Sequence, residues 1–522
     1  MRLLNATDFV LHEFLDDYAP PYAILSHTWG SDEVTFQDIT GPDPPVNKAG
    51  FAKIKGCCKH ALARRLKWVW VDTCCIDKSS SAEIGEAINS MYRWYARSAV
   101  CFAYLSDYSN KEDFDAKAFQ KCRWFTRGWT LQELIAPEYI SFFDCHWEYI
   151  GSHKSLLSDI SEATRINEAV LSKHSSPSGV SVAERMSWAS RRKTTRVEDL
   201  AYCLLGLFSI NMPLIYGEGN RAFRRLQEEI IRQSEDRSIF MWQSRQLSVQ
   251  SKVYPIELRG VLAEYPREFA EVGHLIPMRD YAPKDFAHAE KITRMVDIIN
   301  TATEEPYWVT NRGLRMKVLL VDRESGVYTA IFMLDFLSKE LCFLGIDLRK
   351  VHRDEYYRVS AWNLRLVSFE DLVDAKPATI FIKTHLEDNS GKLFSGASYF
   401  FIAPVNNWRF TIFPAEAQIT PVIVGNLHRA RYSTAAVCFP DDDLNFVVLL
   451  GFNTETGLPL CGVAQKDANM SLDDIVSSDQ PMHPDKTEKK VGDLVVTVQL
   501  TPSPYGANEI QVRVAAKSRD SE

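Results

Sequence analysis

The sequence has no run of about 18 apolar residues, the length a helix needs to cross a bilayer. Its start, MRLLNATDFVLHEFLDD, has neither the apolar core nor the small-residue cleavage site of a secretory signal. These absences point to a cytoplasmic protein with no membrane span. There is no C-x-x-C pair and no His/Cys cluster at zinc spacing, so no metal site is expected. The 11 cysteines include the adjacent pairs Cys57-Cys58 and Cys74-Cys75. Most lie in apolar segments, as reduced, buried cysteines do. A G-x-x-x-x-G-K-[ST] loop is missing, which removes a nucleotide-driven oligomerisation module. Gly217-Glu218-Gly219 lacks the third glycine and the preceding strand of a dinucleotide fingerprint, and no G-x-S-x-G elbow occurs. Positive charge is in deficit, with 60 Lys and Arg against 68 Asp and Glu and a net charge of −8. That balance argues against non-specific nucleic-acid binding. Arg191-Arg192-Lys193 with Arg196 is a basic cluster that reads as a solvated or domain-bridging face.

What is there is ordinary globular composition, 46% hydrophobic and 25% charged over 522 residues. A chain of this length divides into roughly two to four domains. Residues 1–150 alternate short apolar runs with amphipathic stretches. Tyr22–Leu25, Trp68–Val71, Val100–Leu105 and Tyr139–Phe143 are strand-length and rich in β-branched or aromatic residues. Between the first two, Phe51, Ile54, Cys58, Ala61 and Leu62 recur at helical spacing. Ser80-Ser81-Ala82-Glu83 reads as a capping box opening a helix with Ile84, Ile88, Met91 and Tyr95 on one face. A shorter helix is expected over Thr126–Ile135, before Pro137. Such alternation predicts an α/β domain with a parallel sheet and helices on both faces.

Residues 151–245 read as a helical extension built from Leu156–Ile166, Val182–Ser190, Val197–Phe208 and Asn220–Gln233. The last carries an apolar stripe of Phe223, Leu226 and Ile230, with Gly217-Glu218-Gly219 as the turn before it. Residues 246–522 change character again. Met316–Val321, Val327–Leu334, Thr379–Ile382, Val422–Val424, Phe446–Leu450 and Leu494–Leu500 predict an antiparallel, β-rich, sandwich-like domain. The polar stretch 466–491 reads as a loop, and the last few residues as disordered.

Ligands of an open parallel sheet bind beyond the carboxyl ends of its strands. That edge here carries Ser26-His27-Thr28-Trp29-Gly30, then Asp72-Thr73-Cys74-Cys75-Ile76-Asp77, Ser106-Asp107, and Asp144-Cys145-His146-Trp147. A pocket bounded by Trp29, Asp72, Asp77 and nearby hydroxyls would stack an aromatic base and hydrogen-bond a ribose. Equally, Asp72 and Asp77 would cap the next helix or hold loops together, and spacing alone favours that structural role. On the helix from Thr126, Trp129 and Glu133 stand four apart on one face. A carboxylate beside an indole is partly desolvated and suited to stabilising an oxocarbenium-like centre. The alternative is a surface pair between Glu133 and Arg127 or Arg123.

Three segments together resemble one family. Tyr22–Gly30 looks like the first motif of the fungal heterokaryon incompatibility (HET) domain. Trp70–Asp77 with Glu83 to Tyr95 and Ala99 looks like the second, and Arg127-Gly128-Trp129-Thr130-Leu131-Gln132-Glu133-Leu134 like the third. Met1–Asn5, and Ser187–Ala189 through Thr194–Asp199 to Met212–Gly219, extend the resemblance over about the first 240 residues. Lys78 departs from it, because many members have Gln after the Ile-Asp pair. The resemblance implies a role in vegetative incompatibility, where fusion of genetically unlike hyphae triggers programmed cell death. It also implies distant kinship with TIR domains and a flavodoxin-like sheet. By that analogy Glu133 matches the catalytic Glu that cleaves NAD at the nicotinamide bond, and Trp129 its companion. The implied NAD pocket comprises Ser26, His27, Trp29, Gly30, Asp72, Cys75, Asp77, Arg127 and Trp129. NAD would be a substrate, so no resident cofactor is expected. Self-association and an incompatibility partner protein are the implied interactions. The competing expectation is a non-catalytic signalling module restrained by the β-rich domain.

Overall fold

The computed structural model describes residues 1–244 except 44 and 111–113, then 258–272, 275–276, 305–323, 327–337, 340–359, 361, 363–367, 375–385, 399–400, 409–414, 422–428, 432–438, 446–453, 459–465, 482–483, 486–491, 494–502 and 509–518. It divides into two compact units, Met1–Gln243 with Leu262–Asp280, and Ser244–Val261 with Tyr281–Glu522.

The first unit is built on a seven-stranded mixed sheet. Its centre is four parallel strands, β3 (Tyr22–His27), β4 (Trp68–Trp70), β5 (Val100–Tyr104) and β6 (Ile140–Phe143). β3 pairs in parallel with both β4 and β5, and β5 with β6. All residues of β3, β5 and β6 are buried, which is why they read as continuous apolar runs rather than alternating ones. Three short strands add antiparallel borders that the apolar runs did not announce. β1 (Arg2–Asn5) joins β4 and carries β2 (Leu11–Glu13) outside it, and β7 (Tyr149–Ser152) joins β6.

In order of appearance the parallel strands lie 2-1-3-4, the flavodoxin-like arrangement. The chain leaves β3 toward β4 through helix α2 (Ala49–Ala63), after the single turn α1 (Phe36–Ile39). It returns past β3 to β5 through α3 (Ser81–Arg97). Right-handed crossovers taken in opposite directions put those helices on opposite faces. They also open a crevice at the carboxyl end of β3.

At the start of α3, Ser80 accepts from the Glu83 amide at 3.3 Å. The expected capping box is only half formed. The Glu83 carboxylate instead accepts from the Asp77 amide at 2.8 Å and pairs with Arg2. The helix expected over Thr126–Ile135 also divides. A 3-10 turn spans Arg123–Thr126 and, after α4 (Ala116–Gln120) earlier in the chain, α5 covers Thr130–Ile135.

The extension then supplies α6 (Leu157–Thr164), α7 (Glu168–Leu171), α8 (Val182–Ser187), α9 (Asp199–Tyr202), α10 (Leu205–Phe208) and α11 (Arg221–Gln233). Phe223, Leu226 and Ile230 of α11 are buried. No helix among the described residues is long and apolar enough to cross a membrane. Cys57, Cys58, Cys74, Cys75, Cys101, Cys122, Cys203 and Cys461 are free and buried, and Cys145 is free and half-buried.

The second unit is β-rich. After the two-residue strand β8 (Leu275–Ile276) of the first unit come β9 (Trp308–Thr310), β10 (Gly313–Asp322), β11 (Val327–Leu337), β12 (Glu340–His352), β13 (Glu355–Val359), β14 (Arg365–Val367) and β15 (Lys376–Ile382). β10, β11, β12 and β13 pair in succession, β13 pairs in parallel with β15, and β15 returns to β10. These five strands therefore close on themselves instead of stacking as two sheets. Closure leaves none of them with an unpaired edge. The remaining strands form sheets of five and four. Lys486–Val491, inside the stretch expected to be a loop, is an edge strand of the former. Its lysines suit an exposed sheet edge. Positions 466–481 and the expected disordered tail 519–522 lie outside the described residues.

Candidate functional site

A cavity of about 360 Å³ opens beyond the carboxyl ends of β3 and β4. One wall is the apolar face of α3, with Ile84, Ala87, Ile88 and Met91. His27, Thr28 and Trp29 follow β3, Asp72, Ile76 and Lys78 follow β4, and Arg127, Trp129, Thr130 and Glu133 come from the α5 region. Thr195, Arg196, Asp199 and Tyr216 of the helical extension complete it.

Glu133 is buried in the cavity wall, 6% exposed. Its carboxyl accepts from Ser26 Oγ at 2.5 Å, and Ser26 in turn accepts from the buried Trp124 indole N–H at 2.8 Å. The Tyr95 hydroxyl also lies within hydrogen-bonding reach. Burial pushes the carboxyl up to about 8, Asp72 adds to the shift, and the Ser26 and Tyr95 contacts offset part of it. The expected surface pair with Arg127 or Arg123 does not form. Arg127 donates to Thr195 Oγ1 at 3.2 Å, and Arg123 to the Trp29 carbonyl at 3.2 Å.

Asp72 behaves oppositely. Burial alone would raise its carboxyl. Hydrogen bonds from His27 Nε2 (3.1 Å) and Trp29 Nε1 (2.8 Å), with the Lys78 charge, hold it below the usual range. His27 is backed by Lys53, which also holds the Thr28 carbonyl at 3.1 Å and pairs with Glu33. The cavity thus contains two carboxyl groups driven apart, one toward the protonated and one toward the ionised form. Such separation of paired carboxyls is how acid and base roles are assigned at neutral pH.

The extension reaches the site along a strap. Lys193 bridges in parallel to Arg127, with its amide donating to Thr126 O at 2.7 Å and its carbonyl accepting from Gly128 N at 3.0 Å. Arg192 is buried rather than solvated. Its Nη1 donates to Arg127 O at 2.8 Å and to Thr130 Oγ1 at 2.9 Å. Burial brings its guanidinium down to about 10, while Cys203 and Glu133 oppose that shift. Arg196 stacks 4.3 Å from the Tyr216 ring centroid, and the Tyr216 hydroxyl donates to Asp199 at 3.0 Å. The Trp129 indole is bonded to the same carboxyl. Gly217 and Gly219, both at positive φ, point their amides at Glu198 Oε1 at 2.8 and 3.0 Å. Only glycine takes such a conformation freely, so the Gly-Glu-Gly turn is a carboxylate cradle that fixes Tyr216. Glu198→Ala is expected to cost about 1–2 kcal/mol by stranding those amides, measured from denaturant midpoints.

Of the residues expected at the site, Ser26, His27, Trp29, Asp72, Arg127, Trp129 and Glu133 meet in or directly behind the cavity. Gly30, Cys75 and Asp77 lie outside its wall. The Gly30 amide donates to Glu33, and Cys75 is buried with its Sγ accepting from the Val71 amide. Asp77 accepts from Ser79 and Gln37, a loop-stapling role. Asp107 and Asp144 likewise hold loop amides, of Arg123 and of Asn110, His146 and Glu148. Sequence reasoning missed Tyr95, Trp124 and Arg192 behind Glu133, and Thr195, Arg196, Asp199 and Tyr216 in the wall. The last four belong to segments already singled out by resemblance, yet nothing local shows that they return to α5.

The first unit is therefore a flavodoxin-like α/β domain whose strand-end cavity is closed by its own helical extension. Residues 22–120 match the family model of the heterokaryon incompatibility protein (HET), and residues 221–327 match a domain of unknown function (DUF8212). The chain carries a HET domain. It is also similar to Vegetative incompatibility protein HET-E-1 of Podospora anserina, 51% identical over 220 residues. That alignment covers 40% of this chain and 16% of the relative. No solved structure matches.

Proposed function

We propose that this chain acts in fungal vegetative incompatibility, and that its HET domain triggers cell death by cleaving NAD at the nicotinamide–ribose bond. The family match and the relative's name support the first half. The catalytic half rests on one observation, a buried carboxyl with its proton affinity raised to near neutrality in an aromatic-lined cavity at the sheet's switch point. The analogy with TIR enzymes, which use a Glu near a Trp, points to the same residue.

In this reading the C–N glycosidic bond breaks and its electron pair passes to the nicotinamide nitrogen. The ionised Glu133 faces the cationic ribosyl carbon, and water adds there with loss of a proton. Only the deprotonated carboxyl serves this role. The rate constant kcat/KM for NAD is expected to rise with pH and level off near 8, the value to which Glu133 is pushed. A pH-independent rate would remove Glu133 from the chemistry.

Expression of wild type and Glu133→Ala in a fungal host, scored for viability and cellular NAD, tests the proposal. Death with NAD loss in wild type alone supports it. Death without NAD loss, or death with Glu133→Ala, favours a non-catalytic signalling module. The engagement of Glu133 by Ser26, itself held by the Trp124 indole, is the feature that would then count as structural. In the non-catalytic reading the HET domain self-associates or recruits a death effector, and in either reading the chain answers to an incompatibility partner protein.

A further inference from the structure

Lys78 stands where many members of the resembling family have Gln, and it occupies an unusual place. Its Nζ lies 3.5 Å from the centroid of the Trp29 ring, well inside the roughly 6 Å reach of a cation–π contact. The ring is itself immobilised by the indole bond to Asp72 Oδ2 at 2.8 Å and by Arg123 on the Trp29 carbonyl. Asp72, ionised and braced by His27, supplies a negative charge felt at the same ammonium. Lys78, Trp29 and Asp72 all line the cavity, and Trp29 remains 47% exposed at its mouth. An aromatic face beside a fixed carboxylate is a receptor for an organic cation. A lysine on a flexible four-carbon stem is a removable occupant of such a receptor.

We propose that Trp29 and Asp72 form a subsite for a planar organic cation, such as a pyridinium ring, and that Lys78 fills it as an internal plug which the ligand's cation must displace. The proposal deepens the NAD reading, because oxidised nicotinamide is a pyridinium, but its test does not depend on cleavage. Without the Lys78 charge, the competing cation is gone and Asp72 is left to attract an external one. A neutral ring of the same shape gains nothing from that change.

The test measures binding of N-methylpyridinium and of neutral pyridine to the full chain at neutral pH, followed by NMR at tryptophan indole N–H groups. Lys78→Gln is expected to bind N-methylpyridinium about tenfold more tightly than wild type, with pyridine changed by no more than about twofold. Lys78→Met, which keeps the stem and drops the charge, should gain as Lys78→Gln does. Adding Trp29→Ala to Lys78→Gln should abolish the gain. Equal cation affinity in wild type and both Lys78 variants overturns the plug, as does an equal gain for pyridine. NAD turnover by wild type with no cation gain in Lys78→Gln overturns the plug alone. A cation gain with no NAD turnover overturns the catalytic reading and leaves the subsite standing.

Discussion

Glu133→Gln is expected to stabilise the protein at neutral pH and to flatten its stability against pH, while removing NAD cleavage. In the folded state the carboxyl holds its proton up to about 8, against an ordinary value of 4.5. Across that interval the unfolded chain has already released the proton that the native state retains. Stability therefore falls as pH rises from about 4.5 to 8 and is level above it. At 1.36 kcal/mol per pH unit, the folded state loses about 3 kcal/mol by neutrality. Gln removes that loss but must place an amide against Ser26 and Tyr95, so the net gain is about 1–3 kcal/mol. For a domain of this size, melting should rise by about 2–4 °C per kcal/mol. Thermal melts of wild type and Glu133→Gln across this pH range check it, and parallel curves would refute the assignment. A site that weakens its own fold for the sake of a poised carboxyl fits the usual conflict between stability and function.

The second large effect concerns Gly128, where the extension is strapped to the α5 region. A Cβ there would lie 2.5 Å from Thr194 Cγ2 and 3.1 Å from Cys203 Sγ. Thr194 sits half-buried on the strap tied by the Gly128–Lys193 hydrogen bond and by Arg192, and Cys203, just after α9, is buried. Gly128→Ala is expected to cost about 2–3 kcal/mol through overpacking, and to push Thr195 and Arg196 out of the cavity wall. Thr194→Ser removes the offending methyl. The double variant should recover most of the stability, with a coupling of about 1–2 kcal/mol in a double-mutant cycle. Additive costs would show that the strap does not rest on Gly128. If the strap carries the wall, Gly128→Ala should also impair any ligand binding in the cavity, and the double variant should restore it.

Much of this architecture could be read along the chain. β3, β4, β5 and β6 showed as short apolar runs because both faces of a parallel strand are covered, so each residue is apolar without alternation. The α3 face of Ile84, Ile88, Met91 and Tyr95 followed from helical spacing, and it is indeed the face turned to the site. The short β1, β2 and β7 escaped because a strand of three or four residues is too short to show a period. Lys486–Val491 escaped because four of its six residues are charged, and only its pairing with Leu494–Pro502 makes it a strand. The ring closure in the second unit rests on the non-local pairing of β13 with β15, which no window of sequence contains.

The candidate site divides along the same line. By itself the sequence determined which residues stand at the carboxyl ends of the strands, among them Ser26, Trp29 and Asp72. It also determined that Glu133 follows an indole at helical spacing. Backbone periodicity and the exclusion of apolar side chains from water act over a few residues and leave their mark there. Only the tertiary structure decided that Trp124, and not Trp129, is joined to Glu133 through Ser26. It alone decided that Asp77 staples a loop, that Arg192 is buried, and that Arg196, Asp199 and Tyr216 close the cavity. The proton affinity of Glu133 and the position of Lys78 over Trp29 belong to that second group. A buried group's electrostatics sum over every element packed around it, and here those elements come from segments as distant as Ser26 and Arg192.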